Sequence, residues 1–233
     1  ITYEPIFENY GTSSIGDIAL APSNPEILWV GTGEQNNLRS SSWGDGIYKS
    51  VNGGRTFTHM GLRGSQHIGR ILVHPDNADI VWVAAAGPLW GEGGERGVYK
   101  TTDGGRTWRP TLVISRHTGV TDIAMDPSNP DVLYAAAYQR ERRAFSFIGG
   151  GHESGIHKST DGGEAWRRVE RGLAEDDMGR IGLDVCEADP RTVYAVVHAE
   201  EGGVFRSDNN DESWTHASDI SSIPWFFGQI RVD

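Results

Sequence analysis

Six carboxylates stand in glycine-rich, polar stretches from which a side chain can reach a ligand: Glu34, Asp45, Glu92, Glu95, Glu141 and Glu153. Two of them on opposite sides of one bond would form the acid and base of a hydrolysis, and glycoside cleavage is the reaction that needs such a pair. Sequence sets no distance between these stretches, so no pair is assigned. A second pattern is positional. Asp17, Arg70, Asp122, Arg180 and Gln229 each stand just before an isoleucine at the centre of a short apolar run. With the two-residue period of a strand they share a face, and acid alternates with base from one unit to the next. Ion pairing between units is the preferred reading, and a polar ring for a charged ligand is the other.

Other side chains are weighed singly. Trp43 and Trp90 lie outside the strand pattern and suit stacking on a sugar or a protein hot spot, as much as packing beneath loops. His67 and His117 precede two of the apolar runs, where a surface or capping role is preferred to that of a catalytic base. Arg140, with Arg142 and Arg143, could dock an anion, but Glu141 and the net charge of -11 favour a solvated loop. His152-Glu153 with His157 reads HExxxH, one residue longer than the zinc-protease spacing and set among glycines, so no metal and no cofactor is expected. Cys186 is the only cysteine, which leaves no internal disulfide, and it reads as a small buried apolar group on a strand.

The elements that must position these groups come from a repeat. Gly46-Ile47-Tyr48-Lys49-Ser50, Gly97-Val98-Tyr99-Lys100-Thr101, Gly155-Ile156-His157-Lys158-Ser159 and Gly203-Val204-Phe205-Arg206-Ser207 recur, 51, 58 and 48 residues apart. Each is followed by a turn segment: VNGGRTF, TDGGRTW, TDGGEAW and DNNDESW. Upstream of each lies a strand, a Pro/Asn/Asp turn and a second strand ending on Trp29, Trp82, Tyr134 or Tyr194. Two hairpins per period give four strands, A to D, as in a propeller blade. The predicted blades span about 15–60, 68–113, 120–170 and 179–217. Residues 1–7 and 227–233 match the last strand of a preceding blade and the first of a following one. The chain is therefore expected to be part of a larger propeller, or to be completed by another chain.

In the C–D turns, Asn52, Asp103 and Asp161 can accept backbone N–H groups while glycine pairs supply positive φ. The fourth copy lacks the glycine pair and carries Asn209-Asn210, which tolerates that geometry. Ser50, Thr101, Ser159 and Ser207 open the turns. Gly54, Gly105 and Gly163 follow, then Thr56 and Thr107, and Phe57, Trp108, Trp166 and Trp214 close them with rings expected to cover the hairpins.

These residues resemble the Asp-box (BNR) repeat of β-propellers, and their wording is most similar to the sortilin N-terminal (VPS10-like) and glycosyl-hydrolase-annotated propellers. The resemblance implies an all-β fold of four four-stranded blades with one extra strand at each end. It does not imply one activity, because sialidases, xyloglucanases and photosystem II assembly factors share the repeat. Xyloglucanases place a catalytic aspartate after the first B strand. Here Gly31-Thr32-Gly33-Glu34 offers a shifted glutamate, which makes Glu34 the catalytic candidate. The arginine segments Gly69-Arg70-Ile71 and Gly179-Arg180-Ile181 lack the proline of the sialidase motif.

Propeller ligands bind at the channel mouth, so the long B–C loops 31–46, 87–97 and 138–155 are the expected recognition surface. The acidic balance excludes binding to nucleic acid through its phosphates, and no run is long and apolar enough for membrane insertion. The preferred function is non-catalytic binding of a protein, peptide or glycan partner. An Asp-box glycoside hydrolase acting on a polysaccharide is the alternative, and an accessory subunit of a membrane-associated complex the third. An extracellular or periplasmic location is expected.

Overall fold

The computed structural model describes residues 4–221 and 228–232. Among these residues the chain is all-β, with four antiparallel sheets that each run outward in sequence order. The first contains β1 (Ile15–Ala21), β2 (Asn24–Thr32), β3 (Ile47–Ser50) and β4 (Thr58–His59). The second contains β5 (Ile68–Val73), β6 (Val81–Ala85), β7 (Gly97–Thr101) and β8 (Arg109–Leu112). In the third, β9 (Thr118–Asp126), β10 (Asn129–Arg142), β12 (Gly155–Ser159) and β13 (Arg167–Val169) follow the same plan, and β11 (Phe147–Gly149) is an addition. The fourth contains β14 (Ile181–Val185), β15 (Val193–Val197), β16 (Gly203–Ser207) and β17 (Thr215–Ser218).

The C–D turns fold as their chemistry requires. In the second blade the Gly105 N–H donates to Thr101 Oγ1 at 2.9 Å, and the Thr107 N–H and hydroxyl donate to the two Asp103 oxygens at 3.0 and 2.7 Å. Ser50 with Asn52, Ser159 with Asp161 and Ser207 with Asn209 repeat the pattern. These donors hold the Asp103 and Asp161 carboxyls below the usual range. In the fourth turn the positive φ angles fall on Asn210 and Asp211, at 57° and 70°, while Asn209 takes the aspartate position. The Asn209-Asn210 alignment is thus displaced by one residue. Asp211 tolerates the left-handed backbone while its fully buried carboxylate pairs with Lys158 and Arg167 from the third blade.

Sheets pack face to face through apolar layers. Trp29, Ile47 and Ile71 lie between the first and second, Trp82, Ile123 and Leu133 between the second and third, and Ile156, Leu183 and Phe205 between the third and fourth. Small residues in the B strands, Ala84, Ala85, Ala135, Ala136 and Ala195, are fully buried and let the sheets approach. Innermost β1, β5, β9 and β14 lie side by side. At Gly69 a Cβ would stand 2.3 Å from the Thr121 carbonyl oxygen, and at Gly16 2.0 Å from that of Ile68, so these strands touch backbone to backbone.

Two expectations change. The rings of Trp108, Trp166 and Trp214 join the layer shared with the preceding blade instead of covering their own hairpins. Trp108 donates through Nε1 to the Met60 carbonyl at 2.7 Å. Phe57 packs on Phe7 and Tyr10. At the ends, residues 4–14 and 228–232 form no strand. Residues 1–3, 227 and 233 of the expected end strands lie outside the described residues. Segment 228–232 nevertheless packs beside β14, with the Val232 N–H donating to Asp184 Oδ2 at 2.8 Å.

Candidate functional site

The innermost strands bring the predicted charged row together, and its members bond mostly to backbone. Asp17 accepts the Ile71 N–H of the next blade at 2.7 Å, and Asp122 accepts the Leu183 N–H of the next at 3.0 Å. Burial pushes both carboxyls above the usual aspartate range. Arg70 reaches Asp122 only at 4.0 Å. Each aspartate thus spends an oxygen on a neighbouring main chain. Arg180 turns instead to the first B–C loop, donating to the Gln35 carbonyl at 2.9 Å.

That loop, residues 33–46, reaches from the first blade across to the other three. Gln35 Nε2 donates to the Gly16 carbonyl at 2.7 Å and also to that of Gly69. Asn37, fully buried, donates to the Tyr138 hydroxyl at 3.1 Å and accepts from Arg140, both in the third blade. Arg140 is 1% exposed, and so is no solvated loop residue; it is drawn inward by Asn37 and the Gly87 carbonyl. His67 is likewise buried, against the expected surface position. Its Nδ1 meets the Glu34 carbonyl at 2.8 Å, and burial beside Arg140 and Arg96 lowers its pKa to about 3.

Glu34 faces a cavity of about 260 Å³ lined also by Gln35, Asn36, Arg180, Gln229 and the start of β1, and it is the only carboxylate among those lining residues. Its oxygens accept from Asn36 Nδ2 at 2.7 Å and the Ser42 N–H at 3.2 Å. Trp43, farther along the loop, is 68% exposed.

The second and third loops carry matching features. Arg96 is buried and donates to the carbonyls of Gly93, Ala86, Pro88 and Gly91, which fixes loop 87–97 and sets out Trp90, half-exposed. In the third loop β10 runs on past the sheet and pairs Arg140–Arg142 with β11, a hairpin where a plain loop was expected. At its tip Phe145 is fully exposed. His117 sits between the two loops, with Glu92 3.4 Å from Nε2 and Glu141 3.4 Å from Nδ1. The Arg143 guanidinium holds the Glu141 carboxyl below the usual range, which keeps it ionised at neutral pH. Glu153 is held by the Ser115 hydroxyl at 2.5 Å and by Thr118.

HExxxH does not act as one unit, because His157 lies in the sheet on β12 while Glu153 faces Ser115. Cys186 follows β14 and is only half-buried, because the chain turns outward there. Sequence reasoning missed Gln35, Asn37, Arg96, Tyr138 and Phe145. Their roles depend on cross-blade contacts, although one aromatic in each long loop was a signal open to notice.

Comparison with known proteins agrees with this architecture. The Sortilin-Vps10 family model, described as sortilin, neurotensin receptor 3, matches residues 45–222. A probable oligoxyloglucan-reducing end-specific xyloglucanase of Neosartorya fischeri is 31% identical over 167 residues, covering 67% of this chain and 17% of that protein. The oligoxyloglucan-reducing end-specific xyloglucanase of Emericella nidulans is 23% identical, covering 93% and 32%. The chain thus spans a third or less of these relatives. Among solved structures, an ancestral GH74 enzyme superposes with a TM-score of 0.64 at 19% identity, over 91% of this chain and 25% of that one. The GH74 xyloglucanase of Xanthomonas campestris gives 0.62 at 15%, over 87% and 29%. At such identities the superpositions speak for the propeller fold alone.

Proposed function

The chain belongs to the Sortilin-Vps10 family, and on that premise we propose that it forms the polysaccharide-binding face of a propeller glycoside hydrolase, with Glu34 as one of two carboxylates at the cleavage site. The observation that carries this is the set of exposed rings, Trp43, Trp90 and Phe145, one on each long B–C loop, on the face where Glu34 borders a polar cavity. Exposed aromatic rings stack on sugar faces, and amide and carboxylate groups bind hydroxyls. The xyloglucanase names of two relatives support a β-glucan of that kind as substrate. Such a substrate places the protein outside the cytoplasm, in an extracellular or periplasmic setting.

Catalysis needs a second carboxylate about 5–10 Å from Glu34 across the bond. The test is release of reducing ends from xyloglucan oligosaccharides by the full-length protein and by Glu34→Gln. Loss of turnover with binding retained supports the reading, and unchanged turnover in the variant overturns it.

A second reading is non-catalytic capture of a glycan, peptide or protein by the same face. The engagement of both Glu34 oxygens by Asn36 and the Ser42 amide favours it. Binding without turnover in the wild type would decide for it.

A further inference from the structure

Beneath the loop that reaches across the blades, two buried cations lie within electrostatic reach of each other. Arg96 and Arg140 are 2% and 1% exposed, and among the described residues neither has a carboxylate within ion-pair distance. Arg96 donates to the Ala86 carbonyl at 3.0 Å and Arg140 to that of Gly87 at 3.1 Å, so the two guanidinium groups bind consecutive peptide units and act on each other electrostatically. All other acceptors of Arg96 are backbone carbonyls, and Arg140 has Asn37. Among the described residues the buried Arg140 Nε–H has no acceptor.

The groups that face this pair add no negative charge. His67 is neutral, and the Tyr138 hydroxyl is pushed up to about 12 by burial, hence protonated. Arg180 and Arg142 contribute further positive charge nearby. Glu141 acts on Arg96 only from beyond ion-pair distance. Burial lowers Arg96 to about 10 and Arg140 to about 9, which leaves both charged at neutral pH. Like charges removed from water are costly unless an opposite charge joins them.

We propose that a small monovalent anion of halide size binds here, accepting from Arg140 Nε–H and neutralising the Arg96–Arg140 pair. The near-complete burial of both side chains excludes an anion carried on a larger molecule. Such an ion would tie the first B–C loop, through Asn37, to the second, through Arg96. The site stands apart from the glycan reading and does not depend on it.

The test compares thermal unfolding of the full-length protein in sodium chloride and in sodium gluconate at equal ionic strength, for the wild type and for Arg140→Gln. Specific binding raises the wild-type Tm by about 5 °C as chloride goes from 1 to 200 mM, with no such rise in gluconate or in the variant. Crystals of the wild type soaked in sodium bromide should show an anomalous peak within hydrogen-bond reach of Arg140 Nε, and this arm stands even if the variant fails to fold. Equal chloride responses in both proteins, or bromide found only at surface lysines and arginines, would overturn the assignment.

Discussion

Lys100 of the second blade donates through Nζ to the Gly162 carbonyl of the third at 2.8 Å, while lying 5.4 Å from the Trp82 ring of its own sheet. Lys49 does the same with Gly104 and Trp29, and Lys158 with Asn210 and Tyr134. The lysine of the G-φ-Y/H-K strand is thus a latch between a ring in one blade and the turn of the next. Removing it as Lys100→Met is expected to cost about 1.5–3 kcal/mol, because the turn carbonyl loses a charged donor. Lys100 also pairs with half-exposed Glu164, so Glu164→Gln is the control and should stay within about 1 kcal/mol. Urea unfolding of both variants checks the difference.

Gly69→Ala should be more harmful than an exposed glycine change. Its Cβ would meet a backbone oxygen, which cannot rotate away, and the inner strands would have to separate. A loss of about 3 kcal/mol is expected, against under about 1 kcal/mol at exposed Gly64, where the nearest atom is the end of the flexible Glu95 side chain at 3.3 Å. Paired thermal melts measure it.

Trp43→Ala and Trp90→Ala should leave stability within about 0.5 kcal/mol, since both rings are largely free of the core. Each should weaken oligosaccharide binding by about 1 kcal/mol, roughly fivefold in Kd. Titration calorimetry with xyloglucan oligosaccharides reads both arms.

His67 makes stability depend on mild acid. Its folded pKa is about 3 against an ordinary 6.5, so the unfolded chain takes up a proton that the folded chain refuses. The contribution is whole above pH 6.5 and falls as pH drops toward 3, by up to about 1.4 kcal/mol per pH unit. His157, lowered to about 4 by burial and Arg168, adds a similar fall between 6.5 and 4. Denaturant melts from pH 7.5 to 4.5 should show a shallower decline in His67→Gln than in the wild type.

Asp103 acts in a lower window. Its carboxyl is depressed in the folded chain by donors from Thr107 and Thr101, so its contribution is present above the unfolded value of 3.8 and is lost as pH falls below it. Asp103→Asn should flatten the acid limb below pH 4 while leaving the slope between pH 5 and 7 unchanged.

The blades were legible because strand alternation and turn chemistry are local. Ser50, Asn52 and Thr56 make the side-chain bonds of their own turn among themselves and to its backbone. The placement of the candidate site was not local. Arg140 sits in a stretch with three arginines and a glutamate, which on composition reads as solvated, yet Asn37 and Gly87 from two other blades bury it. Asp17 and Asp122 lie on strands β1 and β9. Their partners were misjudged, since a backbone amide leaves no signature in the sequence. Glu34 was reached by resemblance, while the cavity beside it depends on Gln229, nearly two hundred residues away.

The latch has a consequence for how such chains lengthen. Lys100 and Trp82 grip the blade ahead, while the turn at Gly104 is gripped by Lys49 from behind, so one repeat holds both the hook and the eye. A gene segment copied in tandem would enter the array with its joints already made, and blade number could change in evolution without new contacts having to be invented.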